Sequence, residues 1–278
     1  MAKAKEAPAP TQTTDLYGGQ VHLDFYEKYG RKKHVYLLNG QEVPSVTRVL
    51  DVLAKGWLAP WALNCMESAL LTSWQPGRTY DELTIRDLLR KAKAAKDEIS
   101  STAKDVGTVA HDWIEQYIKA QINDTPHPDL PFAPAIKTAC EAFLAWESCH
   151  EISWLESEKR IASREHGFAG TMDFEAQING ELVVGDLKTN KSIEPEHWIQ
   201  TAAYQLAREE ELASIGRRYD KRMILRLGKE PSLSGVEFEV QERRDFETDK
   251  QLFLAALQLQ KGLTVLNSFK GDCYEQAA

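Results

Sequence analysis

An acid and an amine stand two positions apart at the end of an apolar run, Leu182-Val183-Val184-Gly185-Asp186-Leu187-Lys188. Side chains alternate across a strand, so Asp186 and Lys188 share a face with Leu182 and Val184. Burying either charge is costly unless it is paired or bound to a metal. On this spacing alone, a structural ion pair at a strand end is the better account. A second acid upstream changes the balance. Asp173, in Gly170-Thr171-Met172-Asp173, is joined to the Asp186 run through Asn179-Gly180, a strong hairpin signal. A hairpin brings positions near its two ends into cross-strand proximity. Two carboxylates held together repel unless one is protonated or a cation bridges them. Oxygen ligands of this kind suit Mg²⁺ or Mn²⁺. Such an ion would act as a Lewis acid and lower the pKa of a bound water. The competing account of Asp173 is an exposed acid beside Glu175 on a solvated face.

Two helical patterns add polar groups. His111 and Glu115 fall at the edge of the stripe Val106, Ala110, Trp113, Ile114, Tyr117 and Ile118. Edge positions can reach past a packed surface, although a half-buried histidine or a plain i,i+4 surface contact explains the pair as well. Gln200 and Tyr204 share the edge of a second stripe, Ile199, Ala202, Ala203 and Leu206. They either cap a polar boundary or orient the lysine or a phosphate.

The elements that must position these groups can be read from periodicity and turn chemistry. His34–Leu38 reads as a strand ending in the Asn39-Gly40 turn, and Ser45 is an N-cap for a helix carrying Val46, Val49, Leu50 and Leu53. Helices are expected over Leu58–Leu71, over Thr84–Asn123 with a break near Ser100-Ser101, and over Ala135–Cys149 after the proline-rich loop Pro126–Pro134. Strands follow at Ile152–Ala162, Thr171–Ile178 and Glu181–Lys188, with a turn or kink at Gly167–Gly170. A helix over Pro195–Leu212, strands at Arg222–Leu227 and Gly235–Gln241, and a helix over Asp245–Phe269 complete the chain. This order predicts an α/β (α+β) fold with a helical N-terminal portion. A single domain is expected over 19–278, mainly helical to residue 150 and carrying the site over 151–278. The Ala/Lys/Pro/Thr-rich start reads as a disordered tail within residues 1–18.

Gly107-x-x-x-His111, Glu158, Gly170-x-x-Asp173, Asp186-Leu187-Lys188-Thr189 and Gln200-x-x-x-Tyr204 occur in that order. Together they resemble the PD-(D/E)XK nuclease superfamily in its RecB-like exonuclease branch, and Val43-Pro44-Ser45-Val46-Thr47-Arg48-Val49-Leu50 resembles phage-type members. The resemblance spans roughly residues 34 to 210 and leaves the C-terminal part generic. It implies a restriction-endonuclease-like core, a central mixed sheet flanked by helices. It implies a metal-dependent DNA exonuclease acting in recombination, repair or phage genome processing. An endonuclease on the same core, or an inactive nucleic-acid-binding or assembly protein, are the alternatives. Asp173 and Asp186 would be acidic ligands of one or two Mg²⁺ or Mn²⁺ ions, with His111 and the Leu187 carbonyl as further ligands. Lys188 would be the motif lysine, Gln200 and Tyr204 the accessory pair, and Glu158 the acid on the preceding strand, with Glu156 competing. Some relatives hold an iron–sulfur cluster through one early and three late cysteines. Here Cys65, Cys140, Cys149 and Cys273 do not follow that pattern, so no cluster is expected.

With 34 basic and 42 acidic residues the net charge is −8, which argues against a protein that coats nucleic acid. DNA would then be gripped locally. The candidates are Arg31-Lys32-Lys33, the run Arg90, Lys91, Lys93 and Lys96, and Arg217-Arg218 with Lys221-Arg222; Trp57, Trp61 and Trp74 could stack on bases. A solvated face for each charge run, and core for each tryptophan, is the ordinary account. The sequence shows no membrane-length apolar run and no secretory leader, so a cytoplasmic location is expected, in a host cell if phage-encoded. A recombination partner protein would fit the resemblance.

Overall fold

Two Asn-Gly dipeptides each close a hairpin. Asn39 and Gly40 have φ of 48° and 79°, and Asn179 and Gly180 have 51° and 83°. Positive φ at both central residues matches the right-handed twist of the flanking strands. The computed structural model describes residues 8–53, 56, 58–230, 235 and 237–272.

The first hairpin belongs to a four-stranded antiparallel sheet in chain order: β1 (Gln12–Leu16), β2 (Val21–Tyr29), β3 (Lys32–Leu38) and β4 (Gln41–Val43). Three helices follow, α1 (Val46–Leu50), α2 (Leu58–Ser73) and α3 (Glu82–Asn123), and then α4 (Pro134–Glu147). The second hairpin lies in a five-stranded sheet of β5 (Ile152–Ser163), β6 (Phe168–Ile178), β7 (Glu181–Lys188), β8 (Lys221–Leu227) and β9 (Phe238–Arg243). All pairs are antiparallel except β7 with β8. A parallel pair needs a crossover, which α5 (Pro195–Glu211) supplies. Its start is fixed by Pro195 and by a reciprocal cap between Glu194 and His197. The last described element is α6 (Glu247–Asp272).

The chain divides into two units, Met1–Leu53 with Trp113–Ala278, and Ala54–Asp112. The core of the first joins α1, β5, β6, β7, α5 and α6 through Val49, Ile161, Met172, Val184, Ala203 and Phe253, all fully buried. A second cluster seats the first sheet on β5 and β6, where Leu16, Leu23, Phe25 and Tyr36 pack with Ala162 and Ala169. Ser45 accepts from the Arg48 amide at 3.1 Å, the expected N-cap of α1. The second unit holds α2 and the start of α3, where Asp81 accepts from the Thr84 amide at 2.8 Å and so caps α3.

The mixed sheet flanked by helices agrees with the α/β expectation. Three features differ from the sequence reading. Strands β1, β2 and β4 were not foreseen, and β1 lies where a tail to residue 18 was expected. Helix α3 runs without a break at Ser100-Ser101, since serine in a helix interior costs only a few tenths of a kcal/mol. Lys221 and Arg222 are buried structural cations, with Arg222 held by Asp249 at 2.7 Å, and so cannot serve as a surface grip.

Gly185 is required by packing. It pairs with Phe174 across β6 and β7, and an added Cβ would stand 1.8 Å from Phe174 Cζ. That ring is fully buried beside Trp154 and Trp146 and cannot step aside. Gly185→Ala is therefore expected to destabilise the chain by about 2–3 kcal/mol, read from the midpoint of urea unfolding.

Candidate active site

The register of the second sheet brings three carboxylates together. Ser157 pairs with Phe174 and Lys159 with Met172, which sets Glu158 across from Asp173. A carboxylate oxygen of each lies within 4.8 Å of the other. On the far side of β6, Phe174 pairs with Gly185, so the next step of the ladder sets Asp173 beside Asp186. The Leu187 amide donates to Asp173 Oδ2 at 2.7 Å. Lys188 Nζ forms an ion pair with Asp186 Oδ2, and Asp186 is fully buried. The strand-end ion pair is thus present, and it sits in a larger acidic cluster.

Tyr204 comes from α5 and is buried, with its hydroxyl accepting from Gln200 Nε2 at 2.7 Å. Gly170 makes this approach possible. A Cβ there would meet Val46 Cγ2 at 3.0 Å and Tyr204 Cε1 at 3.3 Å. The glycine of Gly170-x-x-Asp173 is therefore a spacing device between β6, α1 and α5. Beside Tyr204 lies a cavity of ≈180 Å³, lined in part by Tyr36, Ser45, Thr47 and Thr171.

The electrostatics follow from this crowding. Burial, then the charges of Asp173 and Glu115, push the Glu158 carboxyl up to about 8, against the opposing pull of Arg160 and Lys119. Burial also raises Asp173, opposed by Lys188 and the Leu187 amide. For Lys188 burial works against the ammonium, but Asp186 and Asp173 outweigh it and hold the pKa above the ordinary lysine value. Tyr204 is held well above the ordinary phenol value by burial and by Asp186 and Asp173, so its hydroxyl stays protonated. Two neighbouring carboxyls thus resist ionisation together, and a divalent cation among hard oxygen donors would relieve both. The donor chemistry fits Mg²⁺ or Mn²⁺.

The backbone at Glu158 is itself unusual, with φ of 49° inside a strand. A left-handed non-glycine residue costs roughly 1–2 kcal/mol and persists only where its surroundings hold it. The competing acid, Glu156, is occupied elsewhere, pairing with Lys159 at 2.8 Å and with Arg208 at 3.5 Å. Leu187 touches the cluster through its amide. His111 lies on α3 just before the end of the second unit. Glu115, one turn further on the same helix, belongs to the first unit, and its charge reaches Glu158.

Several of the basic candidates form ion pairs, most of them on exposed side chains where such pairs are weak. Lys32 pairs with Glu42, Arg90 and Lys91 with Asp87, Arg217 with Glu175, and Arg218 with Glu209. Trp74 is half-exposed and stacks on Tyr80 at 4.6 Å between ring centres, whereas Trp57 lies outside the described residues. Arg160, Thr171 and Tyr36 were missed by the sequence reading. Alternation along β5 could have placed Arg160 on the face of Glu158, but nothing linked Tyr36 to that strand.

No protein-family model and no curated protein matches the chain. Among solved structures it is similar to the crystal structure of SSO0001, at 15% identity and a TM-score of 0.25. That match covers 48% of this chain and 62% of the other, less than two thirds of its length. It is similar to an alkaline exonuclease, LHK-Exo, from Laribacter hongkongensis at 14% identity and a TM-score of 0.27, over 57% of this chain and 84% of that one. LHK-Exo in complex with dAMP aligns at 12% identity and a TM-score of 0.27, over 82% and 94% of the two chains. At these values no family membership is shown, and the function has to be inferred from the chain's own residues. Among the described residues no helix is long and apolar enough to cross a membrane.

Proposed function

We propose that this chain is a metal-dependent nuclease of the PD-(D/E)XK kind, an exonuclease that hydrolyses phosphodiester bonds from the ends of linear DNA in recombination, repair or phage genome processing. The observation that carries the reading is the gathering of Glu158, Asp173, Asp186 and Lys188 on adjacent strands β5, β6 and β7. Glu158 and Asp173, whose carboxylate oxygens lie within 4.8 Å of one another, would with Asp186 hold one or two Mg²⁺ or Mn²⁺ ions; His111 and the Leu187 carbonyl are the further ligands that the motif resemblance implies. When bound, such an ion neutralises charge on a phosphoryl oxygen and acidifies water.

The chain's own groups do the rest. Lys188 is kept charged by two acids, so it can donate to an attacking water or offset negative charge that develops on the phosphoryl group. Tyr204 stays protonated and is fixed by Gln200, so it presents a donor of constant orientation beside both aspartates. Removing that hydroxyl in Tyr204→Phe is expected to lower turnover about 10-fold while leaving the fold intact, as measured by initial rates on linear DNA.

End-labelled linear DNA and covalently closed circular DNA test the reading together. Linear DNA should be degraded with Mg²⁺ or Mn²⁺ and left intact with a chelator, while closed circles should survive. Cutting of closed circles would replace the exonuclease reading with an endonuclease one. Survival of every DNA with either ion would favour a binding or assembly protein on the same core.

A further inference from the structure

Glu158 holds a strained backbone in the middle of a strand, so something must hold Glu158. One step along the ladder, Arg160 of β5 pairs directly with Thr171 of β6. The Arg160 guanidinium donates through Nη1 to Thr171 Oγ1. The same oxygen lies 2.9 Å from the Tyr36 hydroxyl on β3. Arg160 also lies over the Phe25 ring of β2, its Cζ 4.1 Å from the ring centre. Phe25 and Tyr36 are themselves cross-strand partners, with ring centres 5.1 Å apart. One side chain therefore ties four strands from two sheets together next to the Glu158–Asp173 pair. The arrangement is not what burial economy would select. Arg160 Nε is buried with no hydrogen-bond partner, a cost that a hydrophobic residue at this place would avoid.

We propose that Arg160, Thr171 and Tyr36 form a clamp by which the N-terminal sheet positions Glu158 and Asp173 for metal binding, Arg160 being a positioning residue. The proposal rests on the metal-site reading above and deepens it. Arg160 suits the task because a planar fork can stack on an aromatic face and donate sideways at once, which a lysine ammonium cannot do. Thr171 stands two residues before Asp173 and Arg160 two residues after Glu158, so both acids are held from the same side. The clamp also gives the first sheet a purpose beyond burial, since Phe25 and Tyr36 are its contribution. Groups that orient metal ligands without touching the metal are worth about 10–100-fold in affinity elsewhere.

The test is Mn²⁺ binding by titration calorimetry on the full chain, with melting followed by circular dichroism. Thr171→Val and Arg160→Met are expected to weaken Mn²⁺ binding about 10-fold or more. Thr171→Ser keeps the hydroxyl and should bind as the wild type does. Tyr36→Phe, which keeps the ring and is the mildest change to the fold, should give a smaller loss of affinity with an unchanged melt. On linear DNA Thr171→Val and Arg160→Met, and to a smaller degree Tyr36→Phe, should lose kcat with KM for DNA unchanged, while Thr171→Ser should keep both. Wild-type Mn²⁺ affinity in Thr171→Val and Arg160→Met would overturn the clamp. So would a raised KM with unaltered kcat, which would make Arg160 a substrate contact. A wild-type chain that cleaves DNA and binds Mn²⁺ while every variant matches it sinks the clamp alone. A wild-type chain that binds no Mn²⁺ overturns the metal reading and the clamp with it.

Discussion

Asp186→Asn is expected to reduce phosphodiester cleavage on the order of 10³-fold, because a lost ligand charge removes several kcal/mol of transition-state stabilisation. The same change should unsettle the fold. It leaves the Lys188 ammonium beside a neutral amide in a site where burial already opposes its charge. Breaking one side of a buried pair typically costs about 3–5 kcal/mol. The two effects can be separated by a double variant. Asp186→Asn with Lys188→Met also removes the ammonium, which the single variant leaves with Asp173 as its neighbouring acid, and should recover part of the stability, because replacing a buried pair with matched neutral groups is close to neutral. Activity should remain absent. If Asp186 and Lys188 are only a structural ion pair, the double variant will cleave DNA as the wild type does. Denaturant midpoints and cleavage rates on the four members of this cycle decide between the two accounts.

How much of this could be read in the sequence differs from element to element. The β6–β7 hairpin was legible because Asn179-Gly180 admits one turn geometry and the Leu182–Lys188 run admits one buried face. Of the first sheet, β3 and its Asn39-Gly40 turn were legible, but β2 was not, although Val21, Leu23 and Phe25 alternate in the pattern of a strand; the polar start of the chain masked them. The acid on β5 was undecidable in principle. Glu156 and Glu158 are two apart, so alternation sends both to one face. The positive φ of Glu158 separates them, and it is not written in local residue types. The basic runs misled for a related reason. Arg222 finds Asp249 and Arg217 finds Glu175, partners that only the fold brings near. A count of charges cannot tell an exposed cation from Arg222, which the fold buries against Asp249.

The strain at Glu158 has a consequence for stability that opposes its value for function. With its carboxyl pushed from the ordinary 4.5 up to about 8, Glu158 stays protonated in the folded chain at pH values where the unfolded chain releases the proton. The folded state binds that proton more tightly, so this contribution to stability is whole below pH 4.5 and is lost as pH rises through about 8. In the presence of a chelator the wild type should therefore weaken steadily across that window. Glu158→Gln cannot ionise and should show no such decline from this position. Glu158 is half-buried and water screens part of the penalty, so at the alkaline end the variant should exceed the chelated wild type by about 2 kcal/mol. Adding Mn²⁺ should reverse the order. Glu158 and Asp173 would hold the cation in their ionised form, so the wild type would gain stability by mass action. Glu158→Gln has lost that ligand charge and should gain little. Thermal melts with and without Mn²⁺ near pH 8 read both halves of the prediction. A variant no more stable than the chelated wild type, or equally stabilised by Mn²⁺, would remove Glu158 from the metal site. The expected crossover means that a residue which costs the fold stability is kept where the cation turns that cost into binding.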